Sequence, residues 1–285
     1  MADRIESLPP LREVIRRHRL SARKSLGQHF LLDLNLTRRI ARSAALAADE
    51  TVIEVGPGPG GLTRALLHEG AAQVVAIERD RRCIAALSEL CEIAGTRLRV
   101  IEGDALSMSL SELCPPPRVV VANLPYNLST ALLAHWLVEI YEHPGAAARM
   151  ILMFQKEVAD RLRAPAGGKT YGRLSVITQW LCRVTPIFDV PAEAFTPPPK
   201  VVSSVVRLEA RQAPLAAARL STLERVTAAA FGQRRKMLRQ SLKTLVASTP
   251  AALLDAAGID GTRRAETLSV EEFCALAQAL QENAS

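Results

Sequence analysis

Cysteine is scarce in this sequence. The five cysteines are an odd number, scattered without any C-x-x-C spacing, at Cys83, Cys91, Cys114, Cys182 and Cys274. A disulfide framework and a zinc site both need cysteines in paired, closely spaced sets. The pattern therefore predicts neither a disulfide nor a metal site, and it suits the reducing environment of the cytoplasm.

A long apolar run is also missing. The first twenty residues, MADRIESLPPLREVIRRHRL, are charged almost throughout and lack the apolar segment of a signal peptide. Residues 119–138 contain no Lys, Arg, Asp or Glu, but Asn123, Pro125 and Asn127 interrupt them. We therefore interpret 119–138 as two elements of a soluble domain joined by a loop, and expect no membrane span.

Acidic residues are too few to balance the basic ones. The 29 Asp and Glu face 36 Lys and Arg, which gives a net charge of +7, and 30 of the basic residues are arginines. Arginine suits phosphate better than lysine does, because its planar guanidinium can donate two hydrogen bonds to one phosphate. An arginine excess also fits the codon bias of a GC-rich genome. The charge indicates a polyanionic partner, either nucleic acid or an acidic membrane.

Short apolar runs alternate with helical patterns between residues 51 and 155. The runs are rich in Val and Ile and are apolar without alternation, which is typical of strands buried on both faces of a parallel sheet. Two further runs, 184–190 and 203–210, extend the sheet after a helix at 171–183. Strands and helices in turn indicate an open α/β sheet. The predicted strands between 51 and 155 are 51–55, 73–78, 97–102, 118–123 and 149–154.

The strand patterns stop after residue 218. Residues 219–285 read as short helices, and the last one begins at Ser269, which forms a capping box with Glu272. The 285 residues and their 48% apolar share suit one large domain or two unequal ones. We predict two domains, residues 1–212 and residues 213–285.

A glycine-rich turn follows the first predicted strand. Gly56, Gly58 and Gly61 have G-x-G-x-x-G spacing between a strand and a helix, which is the context that this motif needs. Glycines let a ligand approach the backbone, and the helix start offers free N–H groups. Glu78 ends the next strand, where an acid can hold ribose hydroxyls. NAD, S-adenosylmethionine and no ligand at all remain open at this point.

The third strand helps to separate these ligands. It ends at Asp104, whose oxygen can accept from an adenine amino group, or simply cap the next helix. Acids now end three strands, at Glu54, Glu78 and Asp104. Such carboxylates attract a ligand that carries a sulfonium and an ammonium group, which favours S-adenosylmethionine.

The fourth strand ends in the sequence Asn-Leu-Pro-Tyr. Asn123 offers an amide oxygen, and Pro125 makes the turn rigid so that the Leu124 carbonyl becomes a second acceptor. Tyr126 offers a flat face on which a base can stack. Two acceptors and a stacking face suit an amino-bearing purine, and they stabilise the charge that develops on its amine as it attacks carbon.

At this point the chain resembles the KsgA family of small-subunit ribosomal RNA adenine dimethyltransferases. The resemblance runs in order from about residue 20 to residue 280. Its motifs are RKSLGQHFL (23–31), VIEVGPGPGGLT (52–63), IERD (77–80), GDAL (103–106), NLPYNLST (123–130), FQKEVADRL (154–162), YGRLSV (171–176), FTPPPKVVSSVVRL (195–208) and RRKMLRQSL (234–242).

The resemblance implies a Rossmann-like methyltransferase sheet of seven mostly parallel strands with a small C-terminal helical domain. It implies transfer of methyl groups from S-adenosylmethionine to N6 of two adjacent adenines near the 3′ end of 16S rRNA. Separately, we expect a cytoplasmic monomer with no membrane partner. It places cofactor contacts at His29, Leu31, Gly56, Gly58, Glu78, Asp104 and Asn123, and the target base at Asn123, Leu124, Tyr126 and Phe195. His29 stands where the family usually has Asn, and a histidine can also donate or accept a hydrogen bond there.

Two basic segments are candidates for gripping the RNA backbone. Residues 1–42 hold ten Lys and Arg against four acids, and residues 225–243 hold six and no acid. In the second segment, positions 235, 239 and 243 would share one helical face. A solvated helix face is the alternative for any single arginine. The predicted RNA-binding residues are Arg23, Lys24, Arg234, Arg235, Lys236, Arg239 and Lys243.

Other functions remain to be separated. The closely related alternative is a 23S rRNA adenine methyltransferase of the macrolide-resistance type, and another is a mainly non-catalytic ribosome-assembly factor. An NAD oxidoreductase would explain the glycine turn and Glu78 but leaves Asn123–Tyr126 unexplained.

Overall fold

A computed structural model of the chain describes residues 2–23, 26–245 and 250–282. The strands predicted between residues 51 and 155 are confirmed to within a residue, and two short strands are added that the sequence did not predict, β1 and β8. The strands are β1 Phe30–Leu31, β2 Thr51–Val55, β3 Gln73–Glu78, β4 Leu98–Glu102, β5 Arg118–Asn123, β6 Arg149–Gln155, β7 Cys182–Val190, β8 Phe195–Thr196 and β9 Ser203–Ala210.

Seven of these strands form one sheet in the order β4-β3-β2-β5-β6-β9-β7. The pairs β2–β3, β3–β4, β2–β5 and β5–β6 are parallel, and β6–β9 is antiparallel. The order reverses between β2 and β5, which is the place where open α/β sheets bind ligands at the carboxyl ends of their strands. The predicted seven-stranded, mostly parallel sheet is therefore confirmed.

Burial explains why the central strands are continuous apolar runs. All five residues of β2 are buried, as are the first five of β5, because helices cover both faces of the sheet. The helices that carry the chain up to and between these strands are α1 Ala2–Glu6, α2 Leu11–Arg17, α3 Leu34–Ser43, α4 Gly61–His68, α5 Arg81–Ala86, α6 Ser88–Ala94, α7 Leu110–Leu113 and α8 Ser129–Glu142.

The other helices of the chain follow strand β6. Its helices are α9 Lys156–Leu162, α10 Arg173–Leu181, α11 Leu220–Gly232, α12 Leu238–Ser241, α13 Pro250–Ala256 and α14 Val270–Glu282. The predicted capping box of the last helix is confirmed, since Glu272 N–H donates to Ser269 Oγ (3.2 Å) and Ser269 N–H donates to Glu272 Oε2 (2.7 Å).

The chain divides into two compact units, 1–159 with 185–210, and 160–184 with 211–285. The second unit therefore includes residues 160–184, which the predicted domain boundary after residue 212 assigned to the first. Aromatic packing explains their place there, because the Tyr171 ring lies 5.9 Å from the Phe231 ring between centroids. The boundary between functional domains stays a prediction.

The basic segment 225–243 is not one helix. Helix α11 ends at Gly232, and residues 233–237 form turns before α12 begins at Leu238. The expectation that positions 235, 239 and 243 share one helical face is therefore wrong. Gly232 ends the helix because glycine loses more backbone freedom in a helix than other residues do.

No helix among the described residues is long and apolar enough to cross a bilayer.

Candidate functional site

The carboxyl ends of β2, β3, β4 and β5 surround a cavity of about 170 Å³. Nine of the residues predicted from the sequence line this one cavity, although they are up to 97 positions apart in the chain. They are His29, Leu31, Gly56, Gly58, Glu78, Asp104, Asn123, Leu124 and Tyr126. The parallel sheet brings them together because parallel strands present their carboxyl ends at the same edge.

The glycine-rich turn after β2 is hydrogen-bonded to the Glu78 side chain. Gly56 and Gly58 have φ values of 73° and 54°, which a residue with a Cβ adopts only under strain. Gly58 N–H donates to Glu78 Oε2 (3.1 Å), and Asp80 N–H donates to Glu78 Oε1 (2.7 Å). Burial raises the pKa of Glu78 despite these backbone hydrogen bonds. A carboxylate has about four acceptor positions, so capacity for ribose hydroxyls remains.

Glu54 is the unsatisfied group of the cavity. Its side chain is 1% exposed, and neither carboxylate oxygen has a hydrogen-bond partner within the described part of the chain. Burial raises the pKa of Glu54 to about 8, although the neighbouring Thr63 hydroxyl lowers it in part. Buried polar groups normally have partners, so a carboxylate with so little support beside the cavity suits a cationic or donor-rich ligand.

Asp104 already has two partners. Its Oδ1 accepts from Leu106 N–H (3.1 Å), which is the cap that the sequence left as an alternative, and its Oδ2 pairs with Arg79 Nη1 at 3.1 Å. Arg79 lines the same cavity and is 62% exposed. A ligand amine that donates to Asp104 Oδ2 therefore competes with the Arg79 guanidinium.

The corner at residues 123–126 is held by the segment before β1. Asn123 Nδ2 donates to the His29 carbonyl (3.2 Å), which uses one end of the amide and leaves Oδ1 as an acceptor. Leu128 N–H donates to the Pro125 carbonyl (2.9 Å) and closes the turn. The amide is thus oriented by the backbone before any ligand binds.

Tyr126 is positioned by two contacts. Its hydroxyl hydrogen-bonds Ser203 Oγ at the start of β9, and its ring lies 5.4 Å from the His29 ring between centroids, with an interplanar angle of 30°. Burial raises the pKa of Tyr126, so the phenol stays neutral at physiological pH. His29 is held in turn, because its Nδ1 lies 2.7 Å from the Pro197 carbonyl.

Phe195 is not brought to the cavity. Its side chain is 2% exposed and lies in the core of the sheet, where β8 pairs with β1 and sets Phe195 opposite Leu31. A base could stack on this ring only after the core had rearranged. The stacking role of Phe195 therefore stays a prediction without structural support.

The predicted RNA-binding residues fall into three groups. Arg23 is exposed in the first unit, and Lys24 lies outside the described residues. In the second unit, Arg234 donates to Glu266 Oε2 (2.9 Å) and to three backbone carbonyls, so its guanidinium is used inside that unit. The remaining four are exposed, and their role stays a prediction: Arg235, Lys236, Arg239 and Lys243.

Two residues of the site were not singled out from the sequence. Glu54 was seen as an acid at a strand end, but its missing partners become visible only in three dimensions. Gly27 has a φ of 61°, and a Cβ there would lie 2.3 Å from Asn127 Oδ1. The positive φ is what favours glycine here, since the exposed Asn127 side chain can rotate away from a Cβ, and its place inside the RKSLGQHFL motif was the available signal.

Comparisons with known proteins agree on one family. Residues 19–282 match the family model described as "Ribosomal RNA adenine dimethylase". Among curated proteins, the "Ribosomal RNA small subunit methyltransferase A" of Rhodospirillum rubrum is 62% identical over 96% of this chain and 93% of its own length. The protein of that name from Brucella melitensis is 58% identical over 96% of this chain and 98% of its own.

Two solved structures have similar folds. A dimethyladenosine transferase from Plasmodium falciparum has a TM-score of 0.76 and 26% identity, over 90% of this chain and 98% of that one. The 23S rRNA methyltransferase ErmE has a TM-score of 0.63 and 28% identity, over 88% of this chain and 99% of that one.

Proposed function

The chain belongs to the ribosomal RNA adenine dimethylase family, and on that premise we propose the reaction that it catalyses. It transfers methyl groups from S-adenosylmethionine to N6 of two adjacent adenines in the 3′-terminal hairpin of 16S rRNA. The products are N6,N6-dimethyladenines, formed on the small ribosomal subunit or its precursor. The protein acts in the cytoplasm as a monomer.

The observation that carries this proposal is the orientation of Asn123. Because Nδ2 is bound to the His29 carbonyl, Oδ1 remains to accept from a ligand amine. The Leu124 carbonyl in the same turn supplies a second acceptor, and the Tyr126 ring lines the same cavity as the glycine turn. An adenine amine has two N–H donors, which matches two acceptors beside one flat ring.

The chemistry follows from the electronic state of this amine. The N6 lone pair is delocalised into the purine, so the free amine is a poor nucleophile. Two acceptors on its N–H groups stabilise the positive charge that N6 gains as it becomes tetrahedral. Asn123 and Leu124 therefore act on the transition state more than on the bound base. The proton that N6 loses passes to water at the cavity mouth.

The cavity fits S-adenosylmethionine on its own residues. This cofactor supplies an electrophilic methyl group on a sulfonium, and it carries a second positive charge on its ammonium group. The unpartnered carboxylate of Glu54 suits a cationic group, and Glu78 beside the glycine turn suits a ribose. Asp104 suits an adenine amine once Arg79 has moved from it. His29, Leu31 and Asn123 line the rest of the wall.

The choice of the small subunit over 23S rRNA is supported by the level of similarity. Relatives named for the small subunit are 56–62% identical to this chain, whereas the 23S enzyme is 28% identical.

The test is incubation with labelled S-adenosylmethionine and small subunits purified from cells that lack this methylation, with 23S-containing subunits in parallel. We expect label on two neighbouring adenines near the 3′ end of 16S rRNA, ending at two methyl groups on each. Label on 23S rRNA, or none with both substrates, would reject the proposal.

A further inference from the structure

A second cavity adjoins the first and is lined largely by arginines. It measures about 350 Å³, and Leu26 and Arg79 line both cavities. The complete lining is Arg23, Leu26, Arg79, Asp80, Arg81 and Arg82. An RNA strand that places a base in the first cavity therefore has part of its backbone close to the second.

Four of the six residues that line the second cavity are arginines. Asp80 is the acid in its lining, but this residue is 4% exposed. Its oxygens already accept from Arg82 Nη2 (2.6 Å) and Gln28 Nε2 (3.2 Å). Arg81 is 83% exposed and pairs with Glu102, which lies outside the lining. Three of the four lining arginines are thus ion-paired, Arg79 with Asp104, Arg81 with Glu102 and Arg82 with Asp80, so a phosphate bound there competes with these carboxylates.

The wall that carries Arg23 is fixed by hydrogen bonds. Gln28 Oε1 accepts from Arg23 N–H (2.9 Å), and the same Gln28 side chain donates to Asp80. Arg82 Nη2 donates to the Ser21 carbonyl (3.3 Å) and ties the segment at a second point. The Arg23 guanidinium itself has no hydrogen bond or ion pair with any other described residue. The backbone is therefore held while one cationic group is left for a ligand.

Arg79 connects the two cavities. In this structure its guanidinium pairs with Asp104 Oδ2 at 3.1 Å, inside the first cavity. A donor that binds Asp104 weakens this pair and leaves Arg79 available to the second cavity. Arginine in a fixed cluster is the side chain best suited to hold a phosphate oxygen pair.

We propose that the second cavity is a subsite for one backbone phosphate of the RNA strand that carries the target adenine. Binding of the cofactor's adenine amine at Asp104 releases Arg79 into this subsite, so cofactor and RNA strengthen each other's binding. The inference rests on the proposed function, which supplies both the RNA and the cofactor. It adds Arg79, Arg81 and Arg82 as phosphate contacts beside Arg23, which the sequence already predicted to bind RNA.

The experiment measures binding of undermethylated small subunits across a range of salt concentrations, with and without S-adenosylhomocysteine. The variants are Arg23→Gln, Arg81→Gln and Arg79→Gln. The matched control is Arg183→Gln, an exposed arginine in β7 that lies outside both basic segments. Strand β7 forms the opposite edge of the seven-stranded sheet from β4.

We expect Arg23→Gln and Arg81→Gln each to weaken RNA binding several-fold and to lower the slope of log affinity against log salt by about 0.7–0.9. Arg183→Gln should keep both the affinity and the slope. In the unsubstituted protein S-adenosylhomocysteine should tighten RNA binding about fivefold or more, and Arg79→Gln should abolish that coupling.

Equal slopes for the Arg23 and Arg81 variants and the Arg183 control would overturn the subsite. Coupling of the same size in Arg79→Gln would overturn the role of Arg79. Either failure leaves methyl transfer to 16S rRNA intact in the unsubstituted protein, which separates it from failure of the proposed function. Affinity of each variant for S-adenosylhomocysteine, measured calorimetrically without RNA, shows that the first cavity is still formed.

Discussion

Replacing Glu54 by Gln changes the pH dependence of stability in a direction that its burial fixes. The carboxyl group keeps its proton in the folded chain up to about pH 8, whereas in the unfolded chain it loses it near the ordinary value of 4.5. Between these two values the folded state binds more protons than the unfolded state. The free energy of unfolding therefore falls as the pH rises through this window, and the loss is complete above about pH 8.

The size of this effect follows from the two pKa values. Each pH unit between them costs about 1.4 kcal/mol, so the folded chain loses up to about 5 kcal/mol between pH 4 and pH 9 on account of Glu54. The Glu54→Gln variant lacks this titrating carboxyl group. The difference in the free energy of unfolding between the variant and the unsubstituted protein should grow in favour of the variant across this range.

Cofactor binding should convert the Glu54 side chain from its protonated to its ionised form. A cation beside the orphan carboxylate favours its charged form, so S-adenosylmethionine that binds at pH 7 should release about 0.9 proton from this group. Calorimetric titration in buffers of different ionisation enthalpy measures this number directly. Glu54→Gln should bind the cofactor more weakly and release no such proton.

The assay for stability is denaturant unfolding at several pH values, with Glu112→Gln as the matched control. Glu112 is exposed, so its replacement removes the same charge without a buried site. Parallel pH profiles for Glu54→Gln and the unsubstituted protein, or equal proton release on cofactor binding, would refute the reasoning.

Three further changes test the corner at residues 123–126. Asn123→Ala should lower kcat for methyl transfer by about 10²–10³ with little change in cofactor or RNA affinity, because it removes an acceptor used in the transition state; near-normal turnover would contradict this. Tyr126→Ala should cost about 1–3 kcal/mol in RNA affinity through lost stacking, while Tyr126→Phe keeps the ring and loses only the bond to Ser203; equal losses in a binding titration would point away from stacking. Gly27→Ala should destabilise the fold by about 1–2 kcal/mol, because its φ of 61° strains any residue that has a Cβ, and a thermal melt equal to that of the unsubstituted protein would contradict this.

The sheet could be predicted from the sequence because buried parallel strands are continuous apolar runs. Strands β2, β3 and β5 have the predicted bounds, since each run ends at a turn or a polar residue. Strands β1 and β8 have two residues each, which is too short to form a pattern. Their pairing depends on contacts between positions about 165 residues apart, which local sequence does not encode.

Site residues at the ends of strands could be predicted from the sequence, whereas those whose role depends on burial could not. Glu78 and Asn123 end strands and Asp104 follows one, so topology alone places them at one edge of the sheet. Phe195 looks like an available aromatic in the sequence, but the β1–β8 pair buries it. Arg234 lies in a basic segment and was therefore predicted to contact RNA, but its guanidinium already donates to four acceptors within its own unit.

Capture of an extruded adenine by Asn123, Leu124 and Tyr126 is tested most directly by the structure of this protein bound to an undermethylated small subunit and S-adenosylhomocysteine. The prediction is a target adenine stacked on Tyr126, with N6 within about 3.2 Å of both Asn123 Oδ1 and the Leu124 carbonyl. An adenine that stays stacked in the RNA, or whose N6 lies beyond hydrogen-bond distance of both acceptors, would contradict it.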